Sequence, residues 1–194
     1  MSEENTVKSL VRALQVLECF SASAPELGVT EIANKLGMRK STIFNILSTY
    51  QSTGYLVKLS SNKYRLSNKV LYLGYVVSSS MNLQQHFMPH LKEIANETGE
   101  VCYLGLLDAH EVLYLEAVYP TSQVQTRIIL GERAPLYCTG LGKAMLAHLP
   151  EAEISDVLSQ PMHSFTKCTL TDAEVLQAEL AEVRSNGFAV DNME

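Results

Sequence analysis

The sequence predicts an α+β protein: an amino-terminal winged helix-turn-helix, a linker helix, and a carboxy-terminal antiparallel sheet with flanking helices. Three observations predict it. Between Val29 and Leu56 two short helical patterns meet at a glycine and run into a basic hairpin. The charge of the 194-residue chain divides near residue 80: residues 1 to 80 hold nine Lys/Arg against five Asp/Glu, a net +4, and residues 81 to 194 hold six against sixteen, a net −10. Past Met81, helical patterns and short strands follow one another, as in a sheet with helices packed on it.

The first helix is expected from about Thr6, with Val7, Leu10, Ala13, Leu14 and Leu17 as its buried stripe, fraying at Ser21 to Pro25. In the next, Thr30 is placed to cap a helix whose Ile32, Ala33 and Leu36 share one face, and Gly37 ends it. After Met38-Arg39-Lys40, Ser41 is placed to cap a second helix with Ile43, Ile46, Leu47 and Tyr50 inward. That leaves Thr42, Asn45, Ser48 and Thr49 outside. Two cations followed by short polar side chains suit a helix whose front end lies in a major groove, with the cations on phosphates and the polar groups on base edges. Two packed helices joined by a glycine turn would give the same pattern. The flanks decide between them: Gly54 to Leu59 and Tyr64 to Leu66 read as strands around the turn Ser60-Ser61-Asn62-Lys63, a hairpin carrying Lys58, Lys63 and Arg65. A basic hairpin after a helix-turn-helix is a wing.

From Asn68 to about Ser80 the chain is apolar nearly all round and reads as a linker helix, too hydrophobic to stand alone in water. A second copy of the chain is the expected cover. Leu83 to Thr98 reads as a helix with Leu83, Phe87, Leu91, Ile94 and Ala95 apolar, kinked or broken near Met88 by Pro89. Residues 101–108 and 111–119 form a hairpin about Ala109-His110. Val124 to Leu130 alternates as a half-exposed strand. A loop holding Pro135 leads to helices over Cys138 to Leu149, Glu151 to Ser159 and Thr171 to Asn186, and Phe188 to Val190 starts a strand. The expected division is 1–67 for DNA binding, 68–81 for the linker and 82–194 for effector binding.

Other chemistries find little support. No apolar run approaches the roughly 20 residues of a membrane span, and the amino terminus has acids where a secretory signal has cations. The expected location is the cytoplasm. Cys19, Cys102, Cys138 and Cys168 lie far apart without a CxxC pair, so reduced thiols are expected rather than zinc or disulfides. Gly140-Leu141-Gly142-Lys143 lacks the full phosphate-loop spacing, and Ala144 stands where that loop needs Ser or Thr. His86 and His90 are four apart, but Pro89 disturbs the turn. Cys138 reads as core filling rather than as an oxidant sensor, and no GxSxG elbow appears. The chain is expected to be no enzyme and to need no metal or cofactor. The rival reading is an enzymatic or small-molecule-binding module in the carboxy-terminal half.

SLVRALQVLECF (9–20), TEIANKLGMRKSTIFNILSTYQSTGYL (30–56), YRLSNKVLYLG (64–74), TGE (98–100), PLYCTGLGKAMLAHLP (135–150) and GFAVDN (187–192) occur in the order and spacing of the isocitrate lyase regulator (IclR) family. Essentially the whole chain resembles that family of bacterial transcription factors. The resemblance implies a winged helix on an operator in double-stranded DNA, a GAF-like effector domain, and a homodimer or dimer of dimers that represses or activates a catabolic operon. It also implies further strands beyond the carboxy-terminal end of this chain, so the sheet and pocket are expected to be incomplete. Many relatives have Arg where this chain has Asn45, which favours adenine over guanine, and Phe44 suits a thymine methyl. The candidate DNA contacts are Thr30, Arg39, Lys40, Ser41, Thr42, Phe44, Asn45, Ser48, Lys58, Lys63 and Arg65. The candidate effector contacts are Leu130, Thr139, Gly140, Leu141 and Asp191. Free amides at a helix start suit an anion, so the expected effector is an organic acid or other carboxylate metabolite.

Overall fold

The computed structural model describes residues 6–80, 86–124 and 129–194. The chain forms two compact units, Met1–Leu83 and Gln84–Glu194.

In the first unit, α1 (Lys8–Glu18), α2 (Val29–Leu36) and α3 (Lys40–Ser52) pack around Val16, Phe20, Ile32, Ala33, Ile43 and Leu47. The wing strands β1 (Leu56–Lys58) and β2 (Tyr64–Leu66) are antiparallel, with Val57 opposite Arg65. Leu27 adds a bridge on the far side of β2, exchanging backbone hydrogen bonds of 3.0 and 2.8 Å with Tyr64. Leu56 and Tyr64 alternate inward, which is how so short a hairpin joins the core. The linker helix α4 (Asn68–Ser80) follows directly.

Both expected caps are displaced. Gly28, not Thr30, caps α2: its extended backbone leaves an amide that donates to Glu31 Oε2 at 2.6 Å, and Thr30 sits exposed in the first turn. Arg39, not Ser41, is the capping residue of α3, so Ser41 lies within the helix. Gly37 ends α2 in the left-handed region at φ 64°, where a side chain would be strained. The α1 stripe is corrected as well. Val7, Leu10 and Leu14 are exposed, because only the end of the helix packs inward, through Val16 and the following Cys19 and Phe20.

In the second unit, α5 (Met88–Thr98) starts at Met88 with Pro89 in its first turn, where a missing amide hydrogen is tolerated. Leu83 lies outside the described residues. Strands β3 (Cys102–Asp108) and β4 (Glu111–Val118) form the expected hairpin, its two turn residues Ala109 and His110 both at positive φ. Arg133–Pro135, expected as loop, is strand β5, paired antiparallel to the start of β4. Pro135 is tolerated there as the last residue of a strand at the sheet edge. Most of the expected strand from Val124 to Leu130 lies outside the described residues.

One 3-10 turn, Leu136–Cys138, precedes α6 (Gly140–Leu146), which is shorter than the Cys138 to Leu149 expected because Thr139 is extended and caps it. Helix α7 (Glu151–Ser159) matches expectation. Helix α8 (Ala173–Asn186) starts two residues late, since Asp172 accepts the amides of Glu174 and Val175 as its cap. Phe188 to Val190 is not a strand. It runs beside the start of α6, where its backbone meets Gly140 rather than a neighbouring strand.

Candidate DNA interface and effector site

Helix α3 sorts its side chains by its own periodicity. Ile43 and Leu47 are fully buried, Ile46 and Tyr50 pack against them, and Phe44 and Asn45 project outward. Phe44 is 51% exposed, a large cost in apolar surface for an isolated unit. Thr42 and Ser48 are half-buried at the flanks, and Arg39, Lys40 and Ser41 stand exposed at the front end. The structure thus brings the expected α3 residues to one surface. Thr49 Oγ1 donates to the Asn45 backbone carbonyl oxygen at 2.9 Å, and among the described residues the Asn45 side-chain amide has no hydrogen-bond partner.

The wing divides its cations by task. Lys63 Nζ pairs with Glu31 Oε1 at 3.0 Å, so it ties the hairpin to α2. Glu31 does two jobs there: the Gly28 amide and then Lys63 hold its carboxyl below the usual range. Lys58 lies 5.8 Å from the Tyr64 ring centroid, and both Lys58 and Arg65 are exposed.

In the second unit the expected effector residues converge, with one exception. Thr139 Oγ1 accepts the Gly142 amide at 2.9 Å. A Cβ at Gly140 would meet the Ala189 carbonyl oxygen at 3.5 Å and the Asp191 amide at 3.6 Å, so α6 and the 189–191 segment touch backbone to backbone. Leu141 lies over Gly105 of β3. Leu130, the exception, is exposed on the turn before β5. Cys138 is buried beside this cluster. Burial first, and then the Asp191 charge, push its thiol up to about 11, which makes a reactive thiolate at neutral pH scarce.

Sequence reading missed the role of Lys143. It is fully buried in α6, with Nζ 2.5 Å from Glu179 Oε1 and 2.6 Å from Glu194 Oε1. Burial works to discharge it, but the hydrogen bonds it donates to the two carboxylates outweigh that and raise its pKa. The available signal was its face: Leu146 and Ala147, three and four residues on, are both buried. Gly142 is equally structural. A Cβ there would lie 2.4 Å from the Leu136 carbonyl oxygen, so this glycine allows close packing rather than phosphate binding. His86 and His90 are both exposed, and among the described residues no three His, Cys, Asp or Glu side chains are placed to hold a metal.

Comparison with known proteins decides the family. The IclR helix-turn-helix domain matches residues 9–60, and the bacterial transcriptional regulator IclR C-terminal domain matches residues 75–194. The chain is an IclR-family transcriptional regulator. It is 35% identical over 190 residues to the HTH-type transcriptional regulator XynR of Escherichia coli K12, covering 97% of this chain and 75% of that one. The transcriptional repressor IclR of the same organism is 29% identical, with 97% and 70% covered. An IclR homologue from Microbacterium hydrocarbonoxydans, solved in complex with 4-hydroxybenzoate, superposes with a TM-score of 0.82 at 26% identity, over 94% of this chain and 76% of that one. IclR-family members bind DNA and small-molecule effectors, and these relatives are transcriptional regulators rather than enzymes. Among the described residues no helix is long and apolar enough to cross a membrane.

Proposed function

We propose that this IclR-family chain is a homodimeric, effector-responsive regulator of a catabolic operon, acting in the cytoplasm. It reads its operator through Phe44 and Asn45 of α3. The observation that carries this is the outward projection of Phe44 and Asn45 beside the exposed Arg39, Lys40 and Ser41. Thr42 and Ser48 flank that surface on α3, and we assign Thr30 of α2 and Lys58, Lys63 and Arg65 of the wing to the same interface. Residues 1–67 form the DNA-binding part, 68–81 the linker and 82–194 the effector-binding part.

A dimer or dimer of dimers follows from the linker. Leu71, Tyr72, Tyr75 and Val77 of α4 are each more than half exposed, and Val7 and Leu10 before and within α1 are too. Two copies joined there would present recognition helices to half-sites about one helical turn apart, near 34 Å. The effector site lies where Thr139, Gly140, Leu141 and Asp191 meet. An organic acid is the effector class this reading favours, since amides at a helix start suit an anion and one relative is solved in complex with an aromatic acid. Effector binding would shift the protein between a DNA-competent and an incompetent arrangement, to the extent that it prefers one of them.

Mobility-shift titration with the DNA upstream of the chain's own gene tests the regulator. Saturable binding that survives excess non-specific duplex is expected. Binding equal to every duplex would sink the assignment. For the effector, thermal unfolding with a panel of organic acids and their neutral amides should show stabilisation by acids only; stabilisation by the amides alone would exclude an anionic ligand.

A further inference from the structure

A cleft of about 350 Å³ in the amino-terminal unit is lined by Arg12, Gly37, Met38, Arg39 and Thr42. It joins the middle of α1 to the turn that opens α3. Two arginines from chain positions far apart line it, and among the described residues no carboxylate does. Among the described residues, neither the Arg12 nor the Arg39 guanidinium has an ion-pair or hydrogen-bond partner. Like charges gathered at one concavity repel unless an anion sits between them, and protein surfaces usually intersperse acids to relieve this. An unrelieved pair of arginines is suited to a phosphate, because the planar fork of each can bind its oxygens in bidentate fashion. The Thr42 hydroxyl adds a third donor at the rim.

The neighbouring surface says which phosphate. Thr42 is followed on the same helix by the outward Phe44 and Asn45, so an anion in this cleft lies beside the surface proposed to enter the major groove. Groove-reading helices are flanked by the phosphodiester backbone. We infer that Arg12, on the first helix, is a phosphate-contacting residue of the DNA interface, sharing with Arg39 one backbone phosphate beside the groove that α3 reads. The inference rests on the DNA-binding reading above, and it extends the protein's footprint from the helix-turn-helix and wing to α1.

Fluorescence anisotropy with a labelled mixed-sequence duplex of about three helical turns tests it, since phosphate contacts carry no sequence requirement. The full chain is titrated at salt concentrations from about 50 to about 200 mM, as wild type, Arg12→Ala, Arg12→Gln, Arg12→Lys and Lys92→Ala. Lys92, on the exposed side of α5, controls for the loss of any one surface cation. Both neutral variants should lower the slope of log affinity against log salt by about 0.9 for each protomer on the duplex. Arg12→Lys should keep the slope, because the charge is retained, and Lys92→Ala should leave it unchanged. A purely structural arginine would lower the unfolding midpoint and leave the slope alone. Wild-type slopes in Arg12→Ala and Arg12→Gln would overturn the inference while leaving the DNA reading intact. Absence of salt-dependent binding by the wild type would overturn the DNA reading itself, and the inference with it.

Discussion

Asn45, on α3, and Arg39, which caps that helix, are proposed to perform different physical tasks. An amide on a base edge distinguishes sequences, whereas a guanidinium on a phosphate does not. Asn45→Ala should therefore cost about 1–3 kcal/mol on the preferred operator and flatten preference at one base pair. Arg39→Ala should weaken binding evenly across operator variants. Anisotropy on a set of single-base operator variants separates the two, and like behaviour of both mutants would refute the roles. In the second unit, Lys143 neutralises Glu179 and Glu194 in a place with little water. Lys143→Ala should lower stability by roughly 3 kcal/mol, because it strands two carboxylates without a counter-charge; urea unfolding measures it. The pH dependence follows from the direction of the shift. A raised lysine pKa contributes stability that is complete below the ordinary value near 10.5 and is lost as pH rises through the higher folded value. A loss confined to alkaline pH in wild type, and absent in Lys143→Met, is the expected pattern.

At the scale of elements, α6 depends on a glycine that its motif suggests for another reason. GLGK invites a phosphate loop, yet Gly142 lies against the backbone of Leu136, and the lysine is turned into the core. Gly142→Ala should destabilise by about 1–3 kcal/mol or more, since backbone rather than a flexible side chain must move. Circular dichroism during thermal unfolding would reveal it. An unchanged midpoint would mean that the Leu136 turn yields easily. The wing depends on a different device. Glu31 caps α2 through Gly28 and grips Lys63 of the hairpin, so a single carboxylate sets both the helix start and the wing. Its lowered pKa means that this contribution is present at neutral pH and fades as pH falls through the acidic range.

For the molecule as a whole, the apolar surface of α4 and α1 is the main unresolved expense in an isolated chain. Leu71 is 74% exposed and Tyr75 66%, which in water would cost several kcal/mol of unrealised burial. A second copy would recover it. Leu71→Asp with Tyr75→Asp should convert the dimer to a monomer by light scattering coupled to gel filtration. Operator affinity should then drop by orders of magnitude, because two half-sites are no longer bound together. A monomeric wild type would refute the proposal.

Much of this was legible in the sequence, for a physical reason. Helices α2, α3, α7 and α8, the wing and the β3–β4 hairpin have local causes: apolar spacing at 3.6 or 2, a glycine able to take positive φ at a helix end, and polar turns. Those causes act within a few residues and can be read from them. The outward placement of Asn45 follows from the inward placement of Ile43 and Leu47. Where the sequence misled, the deciding partner was distant. Arg133–Pro135 became a strand because β4 offered an edge. Phe188 to Val190 did not, because it met the start of α6 instead. The sequence argued against a phosphate-loop role for Lys143 but assigned it no other, because Glu179 and Glu194, 36 and 51 residues away, reach its nitrogen only in the fold. Arg12 and Arg39 likewise share a cleft only after α1 has packed against α3. The sequence by itself determined which helices and hairpins form and which face of each is apolar. Only the tertiary structure decided which charges are neutralised and which are left to meet a ligand, because that depends on groups that no local pattern connects.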